Sequence, residues 1–222
     1  MSLYSLFLDN QGRNINKNAH YFHIYERHFA RYVGLASTFL EIGTGHGGSA
    51  QMWKRYLGPL CRIVSIDISA KCKSYEDEQV AIRIGSQSDT GFLQSVIDEF
   101  GPFDMVLDDG SHHMKDVRIT FDYLYGRIAH NGVYMVEDLH TAYWPEFGGG
   151  YRHPDSFVEF SKDRVDELNA PYTRGQLPQT DFMRQTTSVH FYDSIIVYER
   201  GGYVSRKSLT RGRSAAPPET KA

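Results

Sequence analysis

Short apolar runs alternate with apolar residues at helical spacing over most of the chain from Phe39 onward. This alternation is typical of parallel β-strands that are joined by crossover helices. We place seven strands at Phe39–Ile42, Arg62–Ile66, Val80–Ile84, Phe103–Leu107, Val133–Val136, Ser188–Phe191 and Ser194–Tyr198. Tyr192-Asp193 lies between the last two, which predicts an antiparallel hairpin. The pattern therefore predicts an α/β fold with a seven-stranded, mostly parallel sheet that ends in this hairpin.

Four stretches carry apolar residues at helical spacing, namely Met52–Leu57, Phe92–Phe100, Val117–Ile128 and Phe157–Leu168. Asp89 has the position and the side chain of a helix N-cap. A helical lead-in precedes the first strand, with Tyr21 and Tyr25 on its apolar face. The aromatic, glycine-bearing segment from Leu139 to Arg152 has no regular period, and we expect it to form a binding loop or a lid.

The composition is that of a folded globular domain, since 41% of the 222 residues are hydrophobic and 14% are aromatic. We expect one domain over residues 1–204, including the lead-in, and a disordered basic tail over residues 205–222. This tail holds five of the 24 lysines and arginines and one of the 27 acidic residues, so the net charge of −3 divides into about −7 for the body and about +4 for the tail. An acidic body argues against binding to a nucleic-acid backbone.

The sequence gives no sign of export. Cys61 and Cys72 are the only cysteines, their spacing is unlike that of a metal site, and two thiols in a chain of this length suggest a reducing compartment. The first residues lack the charged region of a signal peptide, and no window reaches 18 uninterrupted apolar residues. We therefore expect a cytoplasmic protein without a membrane span.

A glycine-rich loop follows the first predicted strand, where residues 43–48 read G-T-G-H-G-G and open a helix. With Asp67 at the end of the second strand, the spacing matches the loop of dinucleotide-binding folds, in which the acid binds the ribose hydroxyls. Glu41 would repel a pyrophosphate but suits a cationic ligand. This favours S-adenosylmethionine over a nicotinamide cofactor or a glycine turn without a ligand. The candidate cofactor-binding residues are Glu41, Gly43, Gly45, Gly48, Ser49, Asp67, Ser86, Gln87 and Asp109, with the Gln87 amide expected to bind the adenine ring.

Acidic residues and histidines follow two further strands, as D-D-G-S-H-H at 108–113 and E-D-L-H at 137–140. Because the carboxyl ends of parallel strands meet at one edge of a sheet, we expect Asp109, Glu137 and Asp138 to lie close together. Three carboxylates so placed repel one another unless a cation neutralises them, and oxygen ligands suit Mg²⁺. We therefore predict a Mg²⁺ site at these three residues, with His112 beside it as the general base for a hydroxyl group.

Other interpretations of these residues remain open. The carboxylates would also serve as helix caps or as solvated strand ends. His113 competes with His112 as the base. Two of His112, His113 and His140 together with Asp109 would form the facial triad of a non-haem iron oxygenase, although such enzymes have β-rich folds rather than this α/β pattern.

Four motifs occur in order, namely L-E-I-G at 40–43, D-D-G-S-H at 108–112, V-E-D-L-H-T at 136–141 followed by Tyr143 and Trp144, and V-H-F-Y-D-S-I at 189–195. Over residues 36–199 the chain resembles the metal-dependent sugar O-methyltransferases of macrolide and related antibiotic biosynthesis. The resemblance implies a Rossmann-like class I methyltransferase fold with S-adenosylmethionine and Mg²⁺ as cofactors. It also implies metal ligands at Asp109, Glu137 and Asp138 and a general base at His112.

The function that this resemblance implies is Mg²⁺-assisted methylation of a hydroxyl of a sugar or a glycosylated natural product. The alternatives are a catechol-type small-molecule O-methyltransferase and a protein that binds S-adenosylmethionine without turnover. We expect a small glycoside or polyol as the partner, no nucleic acid and no membrane, and the chain is compatible with a homo-oligomer. Some macrolide enzymes of this kind carry a further N-terminal domain, for which we expect no room in 222 residues. We expect the aromatic segment around Trp144 to form a wall against the sugar.

Overall fold

The computed structural model describes residues 2–202, 204 and 208–212. The strands are β1 Ser37–Ile42, β2 Cys61–Asp67, β3 Val80–Ile84, β4 Met105–Asp108, β5 Val133–Val136, β6 Thr186–Phe191 and β7 Ile196–Arg200. The α-helices are α1 Leu3–Leu8, α2 Phe22–Phe29, α3 Gly48–Leu57, α4 Thr90–Phe100, α5 Met114–Leu124, α6 Phe157–Leu168 and α7 Asp181–Gln185. Short 3₁₀ helices lie at Ala19–Tyr21, Ala30–Tyr32, Ala70–Tyr75, Tyr125–Arg127, Leu139–Tyr143, Pro145–Phe147 and Ala170–Tyr172. The expected basic tail, residues 205–222, falls outside the described residues except for 208–212.

The strands form one sheet in the order β3-β2-β1-β4-β5-β7-β6. Strands β1 to β5 are parallel, β7 is antiparallel to β5, and β6 is antiparallel to β7. The predicted α/β, Rossmann-like sheet with its C-terminal antiparallel hairpin is therefore confirmed. The chain order reverses between β1 and β4, and at such a switch point the loops that follow the two strands diverge and leave a crevice for a ligand.

Helices cover both faces of the sheet, and each face has its own apolar core. Neighbouring residues of a strand point to opposite faces. Thus Phe39 of β1 packs against Trp53 of α3, with ring centroids 5.0 Å apart, whereas Leu40 faces the other core, which contains Phe121 of α5. Central strands with both faces buried explain why these runs are continuously apolar in the sequence.

The element boundaries differ from the predicted ones by a few residues. Strand β7 begins at Ile196 rather than Ser194, because Ser194 has a left-handed φ of 63° and belongs to the turn. The segment from Leu139 to Arg152 contains two short 3₁₀ helices instead of being wholly irregular. Asp89 accepts hydrogen bonds from two backbone N–H groups at the start of α4, at 2.9 and 3.0 Å, which confirms the predicted N-cap. In the described part of the chain, no helix combines the length and the apolarity needed to cross a bilayer.

Candidate active site

Strand register brings the three predicted motifs to one edge of the sheet. Ile42 of β1 is paired with Asp108 of β4, which is paired in turn with Val136 of β5. Backbone hydrogen bonds continue one step further, from the Asp109 N–H to Ile42 O at 2.9 Å and from the Glu137 N–H to Asp108 O at 3.1 Å. The glycine loop, the D-D-G-S-H-H loop and the E-D-L-H loop therefore start side by side.

The glycine loop passes directly against the loop that follows β4. Gly43 has a φ of 94°, and a Cβ atom there would lie 2.0 Å from Asp109 O, so both the conformation and the close approach require glycine. Asp67, at the end of β2, accepts hydrogen bonds from the Thr44 and Gly45 N–H groups at 3.0 and 3.1 Å. Its carboxylate thus fixes the loop and also borders the groove beside it. Gly45, Gly48 and Ser49 line the same groove.

Glu41 is fully buried beneath this loop. The Ser49 hydroxyl and the Trp53 indole N–H both donate to Glu41 Oε1, the latter at 3.3 Å. Among the described residues no donor reaches Oε2. Burial raises the pKa of Glu41 to about 7, against the opposing effects of Lys17 and Ser49. A buried carboxylate oxygen without a donor fits a cationic ligand with N–H groups.

A second cavity adjoins this groove and shares Gly43 and Asp67 with it. Ser86 lines it, together with Asp67 and the exposed Ile68. Gln87 also borders this cavity, and its amide is bonded to neighbouring protein groups. The amide donates to the buried Asp108 carboxylate at 3.1 Å and accepts from the Ser111 N–H at 2.7 Å. Burial raises the pKa of Asp108 to about 7, so the amide supports a carboxyl that has little access to water.

Two of the three predicted acids converge with the predicted base, whereas Glu137 is buried beside them and is not part of this cluster. One ligand atom each from Asp109, His112 and Asp138 lie within 4.8 Å of one another. His112 Nε2 is 3.7 Å from Asp109 Oδ1 and 3.7 Å from Asp138 Oδ2. These side chains border the same groove as the glycine loop. A hydroxyl held at the carboxylates would therefore lie within reach of both the imidazole and a ligand in that groove.

The two residues that face each other across this point both have a strained backbone. His112 has a φ of 58° and Asp138 has a φ of 57°, in the left-handed region that residues with a Cβ rarely adopt. The Thr141 hydroxyl donates to Asp138 O at 2.7 Å and to His112 O at 3.4 Å, so it ties the two turns together. Such strain persists where the surrounding structure enforces it, and it is concentrated at functional sites.

Three residues from the N-terminal part of the chain complete the site, and sequence reasoning missed them. Lys17 donates to both Asp109 and Glu137, Tyr25 donates to the other oxygen of Glu137, and Tyr21 donates to Asp138 at 2.6 Å. The sequence pattern places both tyrosines on a helical face, but nothing in the local pattern singles out Lys17. Three neighbouring carboxylates require a compensating positive charge, and this requirement is the one feature of the sequence that points to a buried lysine or arginine at the site.

Charge at the site is only partly balanced by Lys17. Burial lowers the pKa of Lys17, but Asp109 and Glu137 outweigh this effect and raise it above its usual range. Burial and the neighbouring Asp109 raise the pKa of Glu137. Three carboxylates and one ammonium group leave a formal charge of about −2 when all are ionised. An oxygen-rich site with this charge fits a divalent ion such as Mg²⁺.

The other two candidate histidines, His113 and His140, lie against aromatic rings, and His140 Nδ1 is also 3.8 Å from Asp138 Oδ1. The His113 ring lies against Phe147, with centroids 5.1 Å apart, and His140 lies against Trp144 at 4.9 Å. His140 Nδ1 is bonded to the Ser194 hydroxyl at 2.7 Å. The cluster at the sheet edge thus has one histidine and two carboxylates, which is the reverse of the two-histidine facial triad.

The sheet order, the glycine loop and the loops after β4 and β5 define the architecture of a class I methyltransferase. The chain matches no protein-family model. It is 36% identical over 201 residues to the 8-demethyl-8-alpha-L-rhamnosyl tetracenomycin-C 2'-O-methyltransferase of Streptomyces olivaceus, a match that covers 86% of this chain and 53% of that protein. It is 41% identical over 191 residues to the mycinamicin VI 2''-O-methyltransferase of Micromonospora griseorubida, covering 80% of this chain and 47% of that protein.

A comparison with solved structures identifies a protein of the same kind. The MycE methyltransferase of mycinamycin biosynthesis, in complex with Mg, S-adenosylhomocysteine and mycinamycin VI, aligns with a TM-score of 0.79 and 30% identity, over 90% of this chain and 53% of that chain. This chain is a homologue of the sugar O-methyltransferases of macrolide and tetracenomycin biosynthesis, and the resemblance inferred from its motifs is confirmed. It spans about half the length of these relatives.

Proposed function

We propose that the chain is an S-adenosylmethionine-dependent, Mg²⁺-assisted O-methyltransferase that methylates a hydroxyl of a sugar in a glycosylated natural product. The observation that carries this proposal is the convergence of Asp109, His112 and Asp138 within 4.8 Å, on the border of the glycine-loop groove. A methyl donor in the groove and a hydroxyl at the carboxylates would be neighbours, and such proximity is a large part of what accelerates a transfer between two substrates. The named activities of the relatives support the same reaction class.

The donor would bind across the two cavities that meet at Gly43 and Asp67. We assign the methionine end to the groove bordered by Gly45, Gly48 and Ser49. Glu41, buried in contact with Ser49, has an unpartnered oxygen and would supply negative charge for an ammonium or sulfonium group. The adenine end would enter the cavity lined by Ser86 and Ile68. Ile68 is 78% exposed and offers apolar surface to a purine ring. We assign the ribose hydroxyls to Asp67, which borders both cavities.

We assign Asp109, Glu137 and Asp138 as the residues that hold Mg²⁺. When bound, Mg²⁺ supplies positive charge that makes a ligated hydroxyl more acidic, and S-adenosylmethionine supplies the methyl group. His112 Nε2, 3.7 Å from two of the carboxylates, would accept the proton that the hydroxyl loses as its oxygen forms the new bond to carbon. Tyr21 and Tyr25 orient the acids through their hydroxyl groups.

The acceptor would lie against the exposed aromatic side chains that follow β5. Trp144 is 43% exposed and Tyr143 is 50% exposed, and Phe147 contacts Trp144 with ring centroids 5.9 Å apart. Flat apolar faces beside polar acids suit a sugar ring, which has C–H faces and hydroxyl edges. We further propose that the protein acts in the cytoplasm on a small glycoside or polyol, alone or as a homo-oligomer, without nucleic acid or a membrane as a partner.

The proposal is tested by incubating the protein with S-adenosylmethionine, Mg²⁺ and a panel of rhamnosides, other glycosides and catechols, and measuring S-adenosylhomocysteine. We expect turnover with a glycoside that is abolished by EDTA and restored by Mg²⁺. His112→Ala should lower kcat by roughly 10² to 10⁴ while calorimetric affinity for S-adenosylhomocysteine is retained. His23→Ala is a matched control, because His23 is exposed on α2. Failure to bind S-adenosylmethionine or its product would refute the function, and turnover confined to catechols would refute the acceptor class.

A further inference from the structure

Lys17 lies between two of the three acids although it comes from an irregular part of the chain. Its side chain is 2% exposed, and its ammonium group donates to Glu137 Oε1 at 2.5 Å and to Asp109 Oδ2. The second oxygen of Glu137 accepts from Tyr25. Lys17 therefore bridges two of the three acids that we assign to the metal, and it contributes a buried positive charge at the place where a cation would bind.

The segment that carries Lys17 is held in place by contacts on both sides. A Cβ atom on Gly48 would lie 2.2 Å from Asn14 O, so the segment passes directly over the start of α3. The Arg13 guanidinium lies 4.6 Å from the centre of the Tyr75 ring and donates to Tyr75 O at 3.3 Å. On the other side, the Asn18 amide donates to Asp138 at 3.3 Å. These contacts explain why a long, flexible side chain is fixed at this point.

We propose that Lys17 is a positioning residue that aligns Asp109 and Glu137 and, as a permanent counter-charge, weakens the binding of a divalent cation to the site. This proposal rests on the metal site proposed above. The reason is electrostatic: a fixed positive charge that contacts the same carboxylates repels a divalent ion, and burial of the Lys17 and Glu137 side chains reduces the screening of this repulsion. The site would consequently bind Mg²⁺ in an exchangeable manner instead of retaining it.

The test is a titration of Mn²⁺ into metal-free protein, followed by electron paramagnetic resonance, for the parent, Lys17→Met and Lys17→Arg. Methionine has a similar length without the charge, and arginine keeps the charge. We expect Lys17→Met to bind Mn²⁺ more tightly by about tenfold or more, and Lys17→Arg to stay within about threefold of the parent. Mg²⁺ affinities, measured by displacement of Mn²⁺, should rank the three proteins in the same order. Unchanged or weaker binding by Lys17→Met, or equal tightening in both variants, would overturn the proposal.

A second measurement covers the case in which Lys17→Met does not fold in EDTA. Removal of the ammonium group leaves the buried Glu137 carboxylate without its counter-charge, a change that is strongly destabilising. If charge is the cause, Mn²⁺ should restore the circular dichroism of the folded state, and its stabilising effect should exceed that on the parent. A variant that stays unfolded at saturating Mn²⁺ would contradict the role of Lys17. Failure of the parent itself to bind Mn²⁺ would instead refute the metal site, so the two failures are distinguishable.

Discussion

Replacing Glu41 by glutamine should make the ligand-free protein more stable at alkaline pH. Glu41 is fully buried, and burial raises the pKa of its carboxyl from 4.5 to about 7. The folded state therefore keeps a proton that the unfolded state has already lost. The contribution of the protonated Glu41 carboxyl to the free energy of unfolding is fully present below pH 4.5 and is lost as the pH rises toward 7. Glutamine has the same shape and never ionises, so this loss is absent from the variant.

The magnitude follows from the pKa difference. The difference between a pKa of 4.5 and a pKa of about 7 corresponds to roughly 3 kcal/mol between the two protonation states, most of which develops between pH 5 and pH 8. We therefore expect the difference in unfolding free energy, Glu41→Gln minus parent, to rise by about 2 to 3 kcal/mol over that range. Any change in hydrogen bonding to Ser49 and Trp53 adds the same amount to this free-energy difference at every pH.

The assay is urea unfolding at several pH values in EDTA, without S-adenosylmethionine. Groups that titrate equally in both proteins cancel in the difference, and Glu78→Gln, at an exposed position, provides the matched surface control. A difference that stays constant with pH would refute the assignment of Glu41 as a buried, ionisable group. Calorimetry on the same variant should show weaker binding of S-adenosylmethionine, because the variant lacks the negative charge that we assign to the cationic ligand.

Three further predictions follow from contacts at the site. Gly43→Ala should lower the free energy of unfolding by about 2 kcal/mol or more in urea, because the new Cβ would meet Asp109 O; an effect near zero would contradict the geometry of the loop. Gln87→Leu should cost about 1 to 3 kcal/mol in the same assay, since the buried Asp108 loses a donor; if instead stability held and adenosine binding fell, the amide would face the ligand. Trp144→Ala should raise the acceptor KM about tenfold while S-adenosylhomocysteine affinity is unchanged; an unchanged KM would remove Trp144 from the acceptor wall.

The sheet and its loops could be predicted because their determinants are local. Continuous apolar runs mark buried strands, and the parallel arrangement brings the residues after β1, β4 and β5 to a common edge. Contacts between distant parts of the chain could not be predicted in this way. Lys17 belongs to a segment without periodicity, and its position depends on backbone contacts with Gly48. Similarly, nothing near Gln87 in the sequence indicates that its amide is engaged by Asp108 and Ser111.

Residues 13–17 touch both the glycine loop, through Gly48, and the acids, through Lys17. One short stretch of backbone is thus common to the two places where small molecules are expected to bind. A ligand at the glycine loop that shifts this stretch changes the free energy of cation binding at the acids. Thermodynamic linkage requires that a cation at the acids changes the free energy of ligand binding at the glycine loop by the same amount. The protein should therefore show heterotropic cooperativity, with S-adenosylmethionine changing the apparent Mg²⁺ dissociation constant by the same factor as Mg²⁺ changes that of the sulfonium compound.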